Sequence, residues 1–249
     1  MSRRLGIIDW GIGGISIYKQ VKERLGDIPI TYLSDTGATP YGRMTRRELV
    51  SRLNAVIKYL GALGVTDLAV GCNSASTAIP FVDPRGLRIV GVIEPAARLA
   101  ARQRPRSLGL IGGRRTVMSG AYRDAFRNGR TVLKQRVAQP LSALIESGDV
   151  NSQTLRNECR RIMRPLRNCS HVLLACTHYP AIESVLKEYV SPATKFIDPS
   201  SAVTDKIVEF ELERGGDDVI LTTGDPRAMK KAAKAAFGVE LRNIKRVRI

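Results

Sequence analysis

Apolar residues fall into short runs of three to seven positions that alternate with longer stretches of helical periodicity. Leu5–Asp9, Ile30–Ser34, Asp67–Gly71, Arg88–Ile93, Leu108–Ile111, Thr131–Val137, Val172–Ala175, Lys195–Ile197 and Asp218–Leu221 read as strands, being short and bounded by turn formers. Ile15–Leu25, Thr45–Leu63, Thr116–Phe126, Leu141–Ser147, Leu155–Leu166, Ala202–Arg214 and Arg227–Phe237 read as helices, and another begins at Glu94-Pro95. Thr45–Leu63 has the clearest period, with Leu49, Leu53, Val56 and Leu60 on one face. Strands alternating with helices predict parallel sheet covered on both faces.

Two of the strand-like runs end at a cysteine. Val172–Pro180 reads VLLACTHYP and Leu68–Thr77 reads LAVGCNSAST, which puts Cys176 and Cys72 at the C-terminal lip of a sheet, where open α/β folds bind ligands. Pro180 suits the first turn of a following helix, whose dipole would favour a thiolate. Asn73 and Ser74 are expected to cap the equivalent helix after Cys72. A single cysteine in such a place is ordinarily a small buried hydrophobe. The spacing changes that reading. Cys72 and Cys176 are 104 positions apart, as are Glu94 and Asp198 in Ile-Glu-Pro and Ile-Asp-Pro, while Leu5-Gly6-Ile7-Ile8 and Leu108-Gly109-Leu110-Ile111 are 103 apart. Three echoes in one register predict a duplicated half, and two similar halves facing across a cleft would present one thiol from each side.

Leu5–Asp9 runs into Gly11, Gly13 and Gly14. A glycine-rich strand-to-helix turn can cradle an anion on its N–H groups, but this one lacks dinucleotide-fingerprint spacing and a P-loop lysine. Asp9 is left as the residue of interest, either capping the next helix or working in the site.

The 249 residues carry a net charge of +17, enough to attract anions and, non-specifically, nucleic acid. The arginines of Arg98–Arg136 and Arg156–Arg167 are interleaved with apolar residues, as on a solvated helix face, and aromatics are only 5%, too sparse for a base-stacking platform. Nucleic-acid binding is therefore expected to be weak and non-specific at most. Cys72, Cys159, Cys169 and Cys176 show no CxxC spacing, and His171 and His178 are the two histidines, so no metal site is expected. His171, inside a strand, reads as a core histidine, and Cys159 and Cys169 as structural. No run reaches membrane-span length, and Met1-Ser2-Arg3-Arg4 leads into a strand without a cleavage signal, so a cytoplasmic location is expected.

In this order the motifs resemble the cofactor-independent aspartate/glutamate racemases, most closely the glutamate racemases. The resemblance covers nearly the whole chain. It is carried by Ile8-Asp9 with Gly11-Ile12-Gly13-Gly14, Asp35-Thr36 with Pro40-Tyr41-Gly42, Cys72-Asn73-Ser74, Val92-Ile93-Glu94-Pro95, Thr116 through Ser119 to Tyr122, Cys176-Thr177-His178-Tyr179-Pro180 and Thr223-Gly224-Asp225-Pro226. It implies an α/β protein of two flavodoxin-like parallel-sheet domains of similar topology, related by pseudo-two-fold symmetry, with the active site in the cleft between them. Expected bounds are 1–97 plus 207–249 for the first domain and 98–206 for the second.

The resemblance also implies roles. Cys72 and Cys176 would be paired acid–base catalysts, Cys72 acting on the D isomer and Cys176 on the L isomer. Asp9 would partner Cys72 and His178 would partner Cys176, with Glu146 assisting the second site, although the loop leading to Glu146 is about one residue shorter than the family's. Asn73, Ser74, Thr116, Thr177 and the backbone at Tyr41 and Gly42 match positions that hold the substrate's carboxylates and amine. No cofactor is implied. The expected partners are an acidic amino acid, glutamate or aspartate, and a second copy of the chain in a homodimer. Glutamate would point to supplying D-glutamate for peptidoglycan, aspartate to specialised peptide synthesis. Trp10 departs from the pattern, standing where the family usually has a serine that touches substrate, so its indole must turn away or reshape the pocket. The competing readings are a racemase or epimerase of another substrate, and an idle homologue that binds protein or DNA through its basic surface.

Overall fold

A computed structural model describes residues 3–127 and 129–249. The first half runs β1 (Leu5–Asp9), α1 (Ile15–Leu25), β2 (Ile30–Ser34), α2 (Arg46–Ala62), β3 (Asp67–Val70), α3 (Asn73–Ser76), β4 (Arg88–Gly91) and α4 (Ile93–Arg102). The second runs β5 (Ser107–Gly112), α5 (Arg114–Met118), α6 (Ala121–Ala125), β6 (Val132–Val137), α7 (Gln139–Glu146), α8 (Gln153–Met163), β7 (His171–Ala175), α9 (Glu183–Lys187) and β8 (Lys195–Ile197). There follow α10 (Pro199–Val208), β9 (Val219–Thr222), α11 (Pro226–Phe237) and β10 (Lys245–Arg246).

Every strand pair is parallel. One sheet has the order β10-β9-β2-β1-β3-β4 and the other β6-β5-β7-β8, so the second repeats the 2-1-3-4 core of the first. The registers repeat too. Leu5 pairs Asp67, which pairs Arg88, while Leu108 pairs His171, which pairs Lys195. Cys72 and Cys176 therefore each lie five residues beyond an equivalent register position, Asp67 and His171, which is the origin of the 104-residue offset. The interior strands β1, β2, β3 and β7 are buried along their length, as parallel strands covered on both faces must be. α10 packs against α1 and α4 and joins the two sheets through their helices, and β9 then returns to pair with β2.

Local chemistry fixes the helix limits. Thr45 and Glu48 form a reciprocal capping box at the start of α2, which satisfies two backbone N–H groups that a helix start leaves unpaired. The expected helix from Thr116 to Phe126 is two helices, because Gly120 adopts φ 77° and breaks it. α10 ends at Val208, short of the expected Arg214, and β10 was not anticipated in a basic tail. Among the described residues no helix is long and apolar enough to cross a membrane.

Candidate active site

The loops at the C-terminal ends of β1, β3, β5 and β7 meet around a cavity of about 360 Å³. Cys72 and Cys176 both line it, one from each sheet, with Asp9, Trp10, Tyr41, Gly42, Asn73, Ser74, Thr116, Glu146, Thr177 and His178. The structure thus brings all the sequence-derived site residues to one cavity.

The expected helix dipoles behind the cysteines are weak. Cys72 is itself the N-cap of a four-residue helix and makes no side-chain cap bond, and Asn73 and Ser74 lie inside that helix. Tyr179–Ile182 is a single 3-10 turn, with Pro180 in its first turn as anticipated. So few aligned peptides sum to little, and activation falls to side chains.

Asp9 neighbours the first thiol. It is fully buried, and its Oδ2 accepts Gly14 N–H at 2.8 Å while Oδ1 accepts Trp10 N–H at 2.6 Å. Burial raises its pKa, against the opposing pull of His178 and a hydrogen bond with Cys72. Burial, and then the Asp9 charge, push the Cys72 thiol well above the ordinary value. Burial thus favours the protonated form of both groups.

His178 neighbours the second thiol. Its Nδ1 lies 3.7 Å from Cys176 Sγ and its Nε2 2.6 Å from Glu146 Oε2. Burial works against charge on the ring, but the bonds to Cys176 and Glu146 outweigh it and hold the imidazole well above its usual pKa. Glu146 also accepts Ile12 N–H at 3.0 Å. The shorter loop before Glu146 thus still delivers the carboxylate to the histidine.

The glycine turn is explained by how closely backbone and side chains approach. A Cβ on Gly13 would sit 2.5 Å from Asp9 Oδ2 and Thr177 Oγ1 and 2.6 Å from His178 Nδ1, and one on Gly11 would collide with the Glu146 carboxylate. Neither position has room for a side chain. The turn lets the backbone after β1 pass close to Asp9, Thr177, His178 and Glu146.

Other groups await partners. Asn73 Nδ2 and Thr116 Oγ1 are buried without a hydrogen bond among the described residues, and Asn73 Oδ1 accepts from Tyr122 Oη at 2.8 Å, which fixes the amide. Unpaired buried polar atoms cost free energy unless a ligand satisfies them. Tyr41 is anchored from behind, its hydroxyl donating to Asp35 Oδ2 at 2.7 Å; Asp35 also pairs with Arg52 and accepts Thr223 Oγ1 at 2.8 Å. This buried network ties the Asp35 and Thr223 motifs to the substrate-facing loop.

Trp10 is among the residues that line the cavity, and its Nε1 donates to Ala38 O at 3.0 Å. Sequence reading missed Arg43, Gln139 and Ser142, which also line it. Gln139 precedes the expected helix start and is held by Arg114 N–H at 3.1 Å, a placement with no sequence signal. His171 is buried at the far end of β7, beside Ser170. Among the described residues no cluster of three or more His, Cys, Asp or Glu has the geometry to hold a metal ion.

Comparison with known proteins places this site in context. Residues 5–207 match the family model described as Asp/Glu/hydantoin racemase. The chain is 30% identical to a glutamate racemase of Bacillus cereus, over 99% of this chain and 97% of the relative, and 31% identical to one of Mycobacterium tuberculosis, over 98% and 95%. Its fold is similar to that of the glutamate racemase of Francisella tularensis in complex with D-glutamate, with a TM-score of 0.89, 23% identity and coverage of 99% and 98%.

Proposed function

Because the chain belongs to the Asp/Glu/hydantoin racemase family, we propose that it interconverts the L and D isomers of an acidic amino acid by a two-cysteine mechanism without a cofactor. The observation that carries this reading is the pair of thiols at equivalent strand ends, facing one cavity, each with its own acid–base partner.

Inversion needs a base on one face of the α-carbon and an acid on the other. The raised Cys72 thiol is the proton donor in the resting protein. Cys176, whose Sγ lies 3.7 Å from His178 Nδ1, faces that thiol as the base. With the L isomer, Cys176 Sγ takes the α-proton, the electron pair stays on the α-carbon and its carboxylate, and Cys72 delivers a proton to the opposite face. With the D isomer the roles exchange. Asp9 holds the proton relation of Cys72, and Glu146 holds His178 in charge and orientation. Asn73, Ser74, Thr116, Thr177 and the Tyr41–Gly42 backbone are the groups offered to the substrate's carboxylates and ammonium.

The glutamate racemases among its relatives favour glutamate, which fits a supply of D-glutamate for peptidoglycan. Trp10, in place of the usual serine, favours aspartate as a comparable substrate. The decisive experiment is α-hydrogen exchange in D₂O, followed by NMR for L- and D-glutamate and L- and D-aspartate. Deuterium incorporation with loss of optical purity is expected for at least one acid; no exchange with either sinks the reading.

A further inference from the structure

The net charge of +17 plays no part in the proton transfers, but three of its arginines lie at or beside the cavity. Arg43 lines the cavity wall immediately after Gly42. Arg46, the first residue of α2, lies over the Phe81 ring with Cζ 4.8 Å from the centroid. Arg115, on α5 of the other half, reaches across the mouth and donates from Nε to Tyr41 O at 3.1 Å. None of the ion pairs among the described residues includes these three. Elsewhere Arg52, Arg88 and Arg156 each close on a carboxylate.

Nearby acids are otherwise occupied. Glu48 is held by Thr45 in the capping box, and Glu146 points inward to His178 and Ile12. Burial, and then the neighbouring Arg46, hold Arg115 below the usual guanidinium value, as expected of cations gathered without a counter-charge. Like charges gathered at a low-dielectric cleft focus the field outward and raise the local concentration of anions.

We propose that Arg43, Arg46 and Arg115 form an anion-capture subsite at the mouth, which draws the carboxylates of an acidic amino acid toward Cys72 and Cys176. The inference rests on the acidic-substrate reading. It assigns these arginines a part in affinity, not in proton transfer. A substrate with two carboxylates and one ammonium is attracted, whereas an amino acid with an uncharged side chain gains little.

Two measurements on the full chain test this. In the first, kcat and KM for glutamate and aspartate are followed with rising NaCl, for the wild type and for Arg43→Gln, Arg46→Gln and Arg115→Gln with their Lys counterparts. In the wild type KM should rise several-fold with salt while kcat stays flat, since added ions screen the field. The Gln variants should show a raised KM at low salt and a flatter salt slope, and the Lys variants should keep the wild-type pattern. A KM indifferent to salt and equal in all variants overturns the subsite. In the second, inorganic phosphate is titrated calorimetrically. Binding by the wild type that is lost in the Gln variants supports the subsite even if neither acid is racemised, which would be a failure of the racemase reading alone. No phosphate binding by the wild type counts against the subsite.

Discussion

His178 Nε2 and Glu146 Oε2 stand 2.6 Å apart across the cleft wall, although the residues belong to the turn after β7 and the end of α7. The carboxylate stabilises the imidazolium, so Glu146→Gln removes one of the contacts that raise its pKa. If catalysis needs His178 charged, the alkaline limb of kcat/KM should move to lower pH in the variant, with activity at neutral pH down by about tenfold or more. Glu146→Asp should recover part of the shift. NMR titration of the ring checks the assignment, and an unmoved alkaline limb would remove Glu146 from the mechanism.

The thiol of Cys72 is held protonated by burial and by Asp9. Alkylation of Cys72 by iodoacetamide should therefore keep rising past pH 9.0, the ordinary thiol value. Asp9→Asn removes a cause of the elevation, so its curve should shift to lower pH. Peptide mass spectrometry resolves the two cysteines; a plateau for Cys72 below pH 8 in the wild type would contradict this arrangement.

Cys72→Ser and Cys176→Ser should each abolish racemisation, by about 10²–10⁴-fold or more, because a hydroxyl is a very weak base at neutral pH. One-sided α-hydrogen exchange is compatible with the mechanism. Near-wild-type racemisation by either variant is not.

Trp10 borders the cavity and is tied by its indole N–H to Ala38. Activity is expected on both acids, with aspartate at least comparable to glutamate. Trp10→Ser should shift the kcat/KM ratio toward glutamate, within the roughly 10- to 200-fold that one methylene is worth in a pocket. A wild type strongly specific for glutamate, unchanged by the substitution, would mean the indole has no part in selection.

Gly13→Ala should leave a folded protein with at least about 10²-fold lower kcat, since its Cβ would displace Asp9, Thr177 or His178 by part of an ångström or more. Circular dichroism separates this from unfolding; wild-type kcat would show that the turn tolerates a side chain.

Much of this was legible in the chain because it is written locally. The runs Leu5–Asp9, Ile15–Leu25 and Ile30–Ser34 have the limits that their periodicity predicted, and the 104-residue echo of Cys72 in Cys176 marked the two walls of the cavity. Other features depend on three-dimensional proximity. The break at Gly120 needs a positive φ that composition does not disclose. The short helix after Cys72 ends after one turn, against the expectation of a dipole. The convergence of Arg43, Arg46 and Arg115 joins residues more than 60 positions apart, so no window on the sequence contains it.

The pairing of β2 with β9 has a consequence for how the chain is made. Thr31 pairs in register with Val219, so a nascent chain that has completed both cysteine-bearing strands still exposes one flank of a strand that is buried along its whole length in the finished fold. Such an open flank invites pairing with another chain, and contacts so distant in sequence form slowly. Synthesis halted just before Val219 should leave an aggregation-prone intermediate whose second sheet is already built, and extension through β9 should rescue it. A strand made after both thiols thus covers the flank of the sheet that carries Cys72.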